Sequence, residues 1–146
     1  MQGLILAAGM GKRLKELTQD NTKCMVKVNG VRLIDRMLSQ LARLGLRRTV
    51  IVTGYKGAEL RRHVGRKWDG MKIDYVENPI YDKTNNIYSL ALASLELVKD
   101  DTLLLESDII LEDTILEKII SCPNPNVALV DAFQDAHLKL YVESCQ

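Results

Sequence analysis

The chain has 146 residues, a formal net charge of +1 and 47% hydrophobic residues. That length and composition suit one folded domain with a substantial core, and exclude disordered or fibrous chains. Acids and bases are mixed along it, so no basic stripe indicates nucleic acid and no basic amphipathic helix indicates a membrane surface.

Apolar runs and helical patterns alternate in chain order. Residues 3–8 read as a buried strand, followed by a glycine-rich turn. Residues 31–44 place Ile34, Met37, Leu38 and Leu41 on one helical face, with Gly45 as a stop signal. Residues 49–53 are a second strand closed by Gly54, 58–65 a short helix, and 72–76 a third strand before the turn at Asn78-Pro79. The pattern predicts a helix over 84–98, with Ile87, Leu90, Ala91, Ser94, Leu95 and Val98 on its inner face. A fourth strand covers 102–106. Thr114 with Glu117 three residues on is a capping-box signal that opens a helix to Ile120. Pro123 and Pro125 break it, and 127–130 is a fifth strand. No internal repeat, linker or low-complexity segment interrupts the series. Continuous apolar strands alternating with helices predict an α/β fold, a mostly parallel sheet with helices on both faces. In such sheets ligands bind beyond the carboxyl ends of the strands, where strand order reverses. The turns after strands one, two and four, carrying residues 9–13, Gly54 and Asp108, therefore share one edge.

No segment reaches the length of a bilayer-spanning helix. The apolar run at 3–8 is too short for a secretory signal, so none is expected. The three cysteines, Cys24, Cys122 and Cys145, are widely separated and odd in number. They read as reduced thiols of a cytoplasmic protein, not as a disulfide frame or zinc site. Cys24 beside Lys23 is expected to be a buried small hydrophobe; a reactive thiol is the alternative.

The first turn holds most of the chemistry. Ala7, Ala8, Gly9 and Gly11 are small enough for a ligand to approach the backbone, whose N–H groups can bind phosphate oxygens. Lys12, Arg13 and Lys23 add the positive charge that a triphosphate requires. A dinucleotide fingerprint would need glycine where Leu14 stands. A P-loop would need glycine at Leu6 and Ser or Thr at Arg13. The turn is neither, and by itself a glycine turn after a first strand can be purely structural.

The longer stretch is more specific. Leu6-Ala7-Ala8-Gly9-Met10-Gly11-Lys12-Arg13-Leu14, with Lys23 in Asn21-Thr22-Lys23-Cys24-Met25-Val26, resembles the signature of the nucleotidyltransferase family. Thr22 replaces the proline usual before that lysine. Thr84-Asn85-Asn86-Ile87-Tyr88-Ser89-Leu90 and Glu106-Ser107-Asp108 resemble the branch that includes phosphocholine and 2-aminoethylphosphonate cytidylyltransferases. The resemblance implies a three-layer Rossmann-like domain over 1–131, akin to nucleotide-diphospho-sugar transferases, followed by a divergent tail at 132–146. It implies Mg²⁺ as cofactor, with CTP and a small phosphorylated acceptor as substrates, and Leu6 to Arg13, Lys23, Gly54, Asn86 and Ser89 around the nucleotide. Arg13 and Lys23 would hold the triphosphate, Lys23 at the α-phosphate or the acceptor phosphate. Losing such a cation would raise the barrier by about 2–4 kcal/mol, by analogy with oxyanion donors.

Each of these residues also has a plainer role. Asp108, at a strand end between apolar neighbours, is a turn cap or, by the resemblance, a Mg²⁺ ligand. Glu106 would support it or pair with a loop cation. Thr84 or Asn85 is a helix N-cap, and Asn86 and Ser89 are candidate ligand contacts. Gly54-Tyr55 is a necessary turn with a possible nucleobase contact. Lys12 is a phosphate ligand or a solvated charge. Tyr81, Asp82 and Tyr88 would suit a quaternary ammonium group, or serve as packing. His63 and His137 have no partner spacing that indicates catalysis.

Past Asp131 the resemblance ends, without the family's late second metal-binding aspartate, so the chain reads as shortened. Leu138, Leu140 and Val142 alternate as an edge strand would, offering pairing with a second chain in a homodimer. Three functions remain in competition. They are a cytidylyltransferase for a phospho- or phosphono-alcohol, a sugar-1-phosphate nucleotidyltransferase using UTP or another NTP, and a nucleotide-binding remnant without turnover.

Overall fold

The computed structural model describes residues 1–11, 22–132 and 139–144. They fall in two compact units, Met1–Ile110 and Leu111–Gln146. In the first unit β1 (Gln2–Ala7) is followed by a 3-10 turn (Lys23–Met25), the short strands β2 (Lys27–Val28) and β3 (Val31–Arg32), and helix α1 (Leu33–Arg43). Then come β4 (Arg48–Thr53), α2 (Gly57–Val64), β5 (Lys67–Trp68), β6 (Met71–Glu77), α3 (Asn86–Leu92), α4 (Ser94–Leu97) and β7 (Thr102–Glu106). The main sheet runs β5-β6-β4-β1-β7. Its β6, β4, β1 and β7 are mutually parallel, and β5 joins antiparallel to β6.

Every residue of β1 is buried, as its unbroken apolar run predicts for a strand covered on both faces. On one face Leu41 of α1 lies against Gly3, where an added Cβ would stand 2.6 Å from Thr49 Oγ1 and 3.0 Å from Leu41 Cδ1. On the other, Leu4, Leu6, Ala8, Val50 and Val52 pack with Ala93, bordered by Leu90 and Leu97. The three-layer α/β arrangement thus stands in this unit.

Several details differ from the sequence reading. The helix predicted from 31 begins at Leu33, because Val31–Arg32 pairs with Lys27–Val28. Asn29 and Gly30 carry φ of 53° and 79° in the intervening turn, the backbone an Asn-Gly hairpin turn requires. Asp69 and Gly70, with φ of 45° and 84°, do the same between β5 and β6. The helix predicted over 84–98 is two helices broken at Ala93, and its inward face is different. Ile87, Leu95 and Val98 are 75%, 76% and 82% exposed, while Ser89 and Ala93 are buried. Of the predicted face Leu90 does pack against the core, with Leu97, but the fully buried positions are the small residues Ser89 and Ala93, which apolar spacing does not single out.

In the second unit α5 (Asp113–Ser121) precedes β8 (Val127–Ala132) and β9 (Lys139–Ser144). The N-cap of α5 is Glu112, without a side-chain capping bond, so the expected Thr114 box does not open it. The predicted fifth strand is not in the described parallel sheet; β8 pairs antiparallel with β9, from Val127–Ser144 to Ala132–Lys139. The alternation in the tail is therefore met within this chain.

At the amino ends of the strands, Arg48 joins four elements. Its Nε donates to Asp74 at 2.6 Å, Nη1 to Gln2 Oε1 at 2.5 Å, and Nη2 to Glu96. Lys72 and Lys99 add ion pairs to Asp74 at 3.0 Å and Glu96 at 2.7 Å. Partial burial pushes the Asp74 carboxyl upward, but hydrogen bonds from Arg48 and Lys72 leave it below its ordinary value. Hydrogen bonds from Lys99 and Arg48 likewise hold Glu96 low. A depressed carboxylate contributes stability above its unfolded pKa, and loses it as pH falls through the folded value. Arg48→Met is expected to cost about 1.5–3 kcal/mol at pH 7. The difference from the unmodified chain should shrink in urea melts below about pH 4, where unfolded carboxyls protonate. An equal loss at both pH values would contradict this account.

Candidate functional site

Parallel β1, β4 and β7 bring three turns to one sheet edge, as the alternation implied. Strand order reverses between β1 and β7: the chain steps from β1 to β4 and β6 and then returns to β1's other side. A crevice outside the carboxyl ends is the expected ligand position at such a reversal.

The first turn leaves β1 with Leu6, Ala7 and Ala8 buried. Gly9 is exposed, and a Cβ placed on it would meet nothing within 4 Å. Gly11 adopts φ of 62°, a left-handed conformation that suits glycine. Met10 is partly buried. Lys12 and Arg13 lie outside the described residues.

Gly54 has a different constraint. A Cβ there would stand 2.7 Å from the Ala8 carbonyl oxygen and 2.7 Å from Tyr81 Cβ. Beside it, Tyr55 N–H donates to Ala8 O at 3.1 Å, tying the end of β4 to the glycine turn. Tyr55 and Tyr81 meet edge to face with centroids 6.0 Å apart. Gly54 is thus required by close packing of the two turns.

Lys23 begins the 3-10 turn, whose Cys24 and Met25 are buried and anchor it. Thr22 precedes it with φ of −70°. That is the angle a proline would impose, so threonine keeps the local path. Across the edge, the Lys23 ammonium pairs with the Asp108 carboxylate just after β7. Both side chains are 35% exposed. The two residues expected at the phosphate and at the metal are therefore in contact, 85 positions apart in sequence.

Cys24 is fully buried, with its sulfur 3.0 Å from Thr22 Oγ1. Burial pushes its thiol up to about 11, so the buried reading holds and the reactive-thiol alternative does not. Its thiolate fraction near pH 8 should be roughly 100-fold below that of a free cysteine. Iodoacetamide followed by peptide mapping should leave Cys24 unmodified in the folded chain and label it in urea. Rapid labelling of the native thiol would overturn that.

Asn85 caps α3, its Oδ1 accepting from Tyr88 N–H at 3.3 Å. Asn86 follows, exposed, with Nδ2 3.0 and 2.9 Å from the two carboxylate oxygens of Glu106. Ser89 does not join it. It is 2% exposed, and its hydroxyl accepts from Asn78 Nδ2 at 3.1 Å. Asn78 also donates to Thr84 Oγ1 at 2.9 Å and accepts from Ile80 N–H at 3.1 Å. Ser89 is thus part of the brace that shapes the loop before α3. Glu106 was expected beside Asp108 or a loop cation; its pairing with Asn86 had no signal in the sequence. His63 also gains an unforeseen partner, Asp35 at 2.5 Å, and Trp68 donates to Ser39 Oγ at 3.0 Å. That cluster joins α1 to the α2–β5 segment, away from the edge.

Among the described residues no group of three or more His, Cys, Asp or Glu is arranged to hold a metal, and no helix is long and apolar enough to cross a membrane. The donor set still fits Mg²⁺, which is commonly held by one or two carboxylates together with substrate phosphates. Asp108 offers a partly exposed carboxylate that is already paired with a cation.

Glycine turn, lysine and strand-end aspartate lie on one edge of a Rossmann-like sheet. Residues 2–128 match the nucleotidyl transferase family, and the chain belongs to it. It is 36% identical over 123 residues to the CMP-5'-(3-aminopropyl)phosphonate synthase of Streptomyces rubellomurinus, covering 84% of this chain and 19% of that protein. It is 30% identical over 136 residues to the CTP:phosphoglutamine cytidylyltransferase of Campylobacter jejuni, covering 90% of this chain and 53% of that protein. Uridylyl- and adenylyltransferases of glucose 1-phosphate also match, over about half of this chain. The fold superposes on the CTP:phosphocholine cytidylyltransferase of Streptococcus pneumoniae with a TM-score of 0.65 and 22% identity, covering 98% of this chain and 65% of that one.

Proposed function

We propose that this chain carries a Mg²⁺-dependent nucleotidyl transfer site that couples CTP to a small phospho- or phosphono-alcohol and releases pyrophosphate. The observation that carries the reading is the Lys23–Asp108 pair at the strand-order reversal, beside the open Gly9 turn. The similarity to cytidylyltransferases of aminopropylphosphonate and phosphoglutamine supports the choice of CTP and of a small acceptor.

In this reading an oxygen of the acceptor phosphate or phosphonate attacks the α-phosphorus of CTP. The bond from that phosphorus to the bridging oxygen breaks, and pyrophosphate leaves with its electron pair. Both reactants are anions, so the protein's contribution is positioning and charge, without a covalent nucleophile. The Gly9, Met10 and Gly11 N–H groups face the triphosphate, with Ala8 and the end of β1 beneath. Lys12 and Arg13, next in sequence, would add positive charge. Lys23 moves from Asp108 to the α-phosphate as the substrates enter. Asp108 would hold Mg²⁺, which when bound would neutralise phosphate oxygens as a Lewis acid. Asn86 contacts substrate, while Gly54 and Ser89 shape the walls.

A substrate panel tests this, with product followed by ³¹P NMR. CTP and UTP are each incubated with Mg²⁺ and 2-aminoethylphosphonate, phosphocholine or a sugar 1-phosphate. Product is expected from CTP and one of the first two acceptors. Preference for UTP with the sugar phosphate would replace this reading with sugar-nucleotide synthesis. CTP binding without product from any acceptor would reduce the chain's role to nucleotide binding.

A further inference from the structure

The pairing of Glu106 with Asn86 decides what kind of chemical group this part of the edge accepts. An ionised carboxylate only accepts hydrogen bonds, whereas an asparagine amide can donate from one end and accept at the other. Because Asn86 faces both carboxylate oxygens, at 3.0 and 2.9 Å, its NH₂ end must point at Glu106. The chemistry of the partner therefore fixes the amide orientation. The planar amide then turns Oδ1 the other way, and no described residue donates to it.

Both residues are held from behind. Glu106 is the last residue of β7 and lies in register with Leu6, where β1 feeds the glycine turn. Asn86 is the first residue of α3, fixed by the Asn85 cap and by the buried Asn78–Ser89 brace. An exposed carbonyl oxygen backed by a negative charge repels phosphate oxygens and attracts hydrogen-bond donors, above all cationic ones.

Resting on the proposed transfer reaction, we infer that Glu106 is a positioning residue that locks Asn86 as an acceptor, and that the pair selects a donating N–H or O–H group on a substrate. That donor belongs either to the nucleotide, as a base amino group or ribose hydroxyl, or to the acceptor, as a primary ammonium. Asn86 is then a specificity contact, not a phosphate ligand.

Matched pairs of ligands separate the sources. CTP against UTP exchanges a base amino donor for an oxygen. CTP against 2'-deoxy-CTP removes a ribose hydroxyl. Phosphoethanolamine against phosphocholine replaces N–H donors by methyl groups. KM and kcat are measured for each with the unmodified chain, Asn86→Ala and Glu106→Gln. In Glu106→Gln the partner can either donate or accept, so the Asn86 amide is free to turn. The expected result is a selectivity ratio for one pair that falls about tenfold in both variants, through KM, with melting temperature unchanged. The side-chain NH₂ resonances of Asn86 should also shift in Glu106→Gln, a readout independent of activity.

Ratios unchanged in every pair would overturn the inference while leaving the transfer reaction standing. A loss in Asn86→Ala that Glu106→Gln does not share would remove the positioning role of Glu106. Absence of binding and turnover in the unmodified chain, with the NH₂ shift still seen, would instead overturn the transfer reading and the substrate role together.

Discussion

Asp108→Asn is expected to reduce turnover by roughly 10²–10³-fold while barely changing stability. The side chain keeps its size but loses the charge that would hold Mg²⁺, and charge stabilisation in such reactions is typically worth several kcal/mol. The stability cost is small because the Lys23–Asp108 pair is one-third exposed on each side. Pairs of that kind contribute about 0–1 kcal/mol. Pyrophosphate release and a thermal melt, run side by side, check both halves. A large drop in melting temperature with activity retained would assign Asp108 to structure, as a turn cap.

Lys23→Ala carries the second large effect, with a different signature. Removing the cation should lower kcat by roughly 30- to 1000-fold, or about 2–4 kcal/mol of barrier. In the substrate-free protein it should act in the opposite sense on metal binding. The ammonium occupies the Asp108 carboxylate, so a metal ion must displace it or share that oxygen. Without it, Mg²⁺ should bind the free chain several-fold more tightly, as expected from about 1 kcal/mol of lost competition at a partly exposed site. Calorimetric Mg²⁺ titration of both proteins measures this directly. Weaker Mg²⁺ binding in Lys23→Ala would mean that Lys23 supports the carboxylate rather than competing for it.

The parts of this protein that were legible in its sequence are those dictated by periodicity and by strand ends. Buried β1, the inward face of α1, and the convergence of the turns after β1, β4 and β7 all follow from apolar patterning, and the structure has them. Family membership was legible from the Leu6–Leu14 stretch and Lys23. The inner face of α3 and α4 was not, because Ala93 and Ser89 fill it while Ile87, Leu95 and Val98 remain outside. A hydrophobic-spacing rule ranks side chains by apolarity and has no measure of available depth. The hairpin turns at Asn29-Gly30 and Asp69-Gly70 are visible as dipeptides, but each adjoins a strand of only two residues, too short to leave a periodic signal. Within the site, single residues were nameable but their contacts were not. Lys23 and Asp108 are brought together by β1 and β7 pairing, and Glu106 meets Asn86 by the placement of α3. Sequence spacing holds no trace of such long-range pairings.

The Arg48 network shows a related limit. Gln2, Arg48, Asp74 and Glu96 are unremarkable in the chain, yet they join the opposite end of the same sheet. A cleft lined by Arg48, Arg61, Asp74 and Glu96 opens beside this network, and no residue of the glycine turn lines it. Its two carboxylates, Asp74 and Glu96, are each paired with Arg48 and a lysine. The Arg48 network thus ties the amino ends of the strands, while the Lys23–Asp108 pair at the carboxyl ends is one-third exposed on each side.

The most direct measurement is pyrophosphate release by the purified chain with CTP, Mg²⁺ and, in parallel, 2-aminoethylphosphonate or phosphocholine as acceptor, beside Lys23→Ala. Release that needs all three components and falls at least 30-fold in the variant is the result this account predicts. Release at the same rate in both proteins, or none from a folded chain that binds CTP, would contradict it.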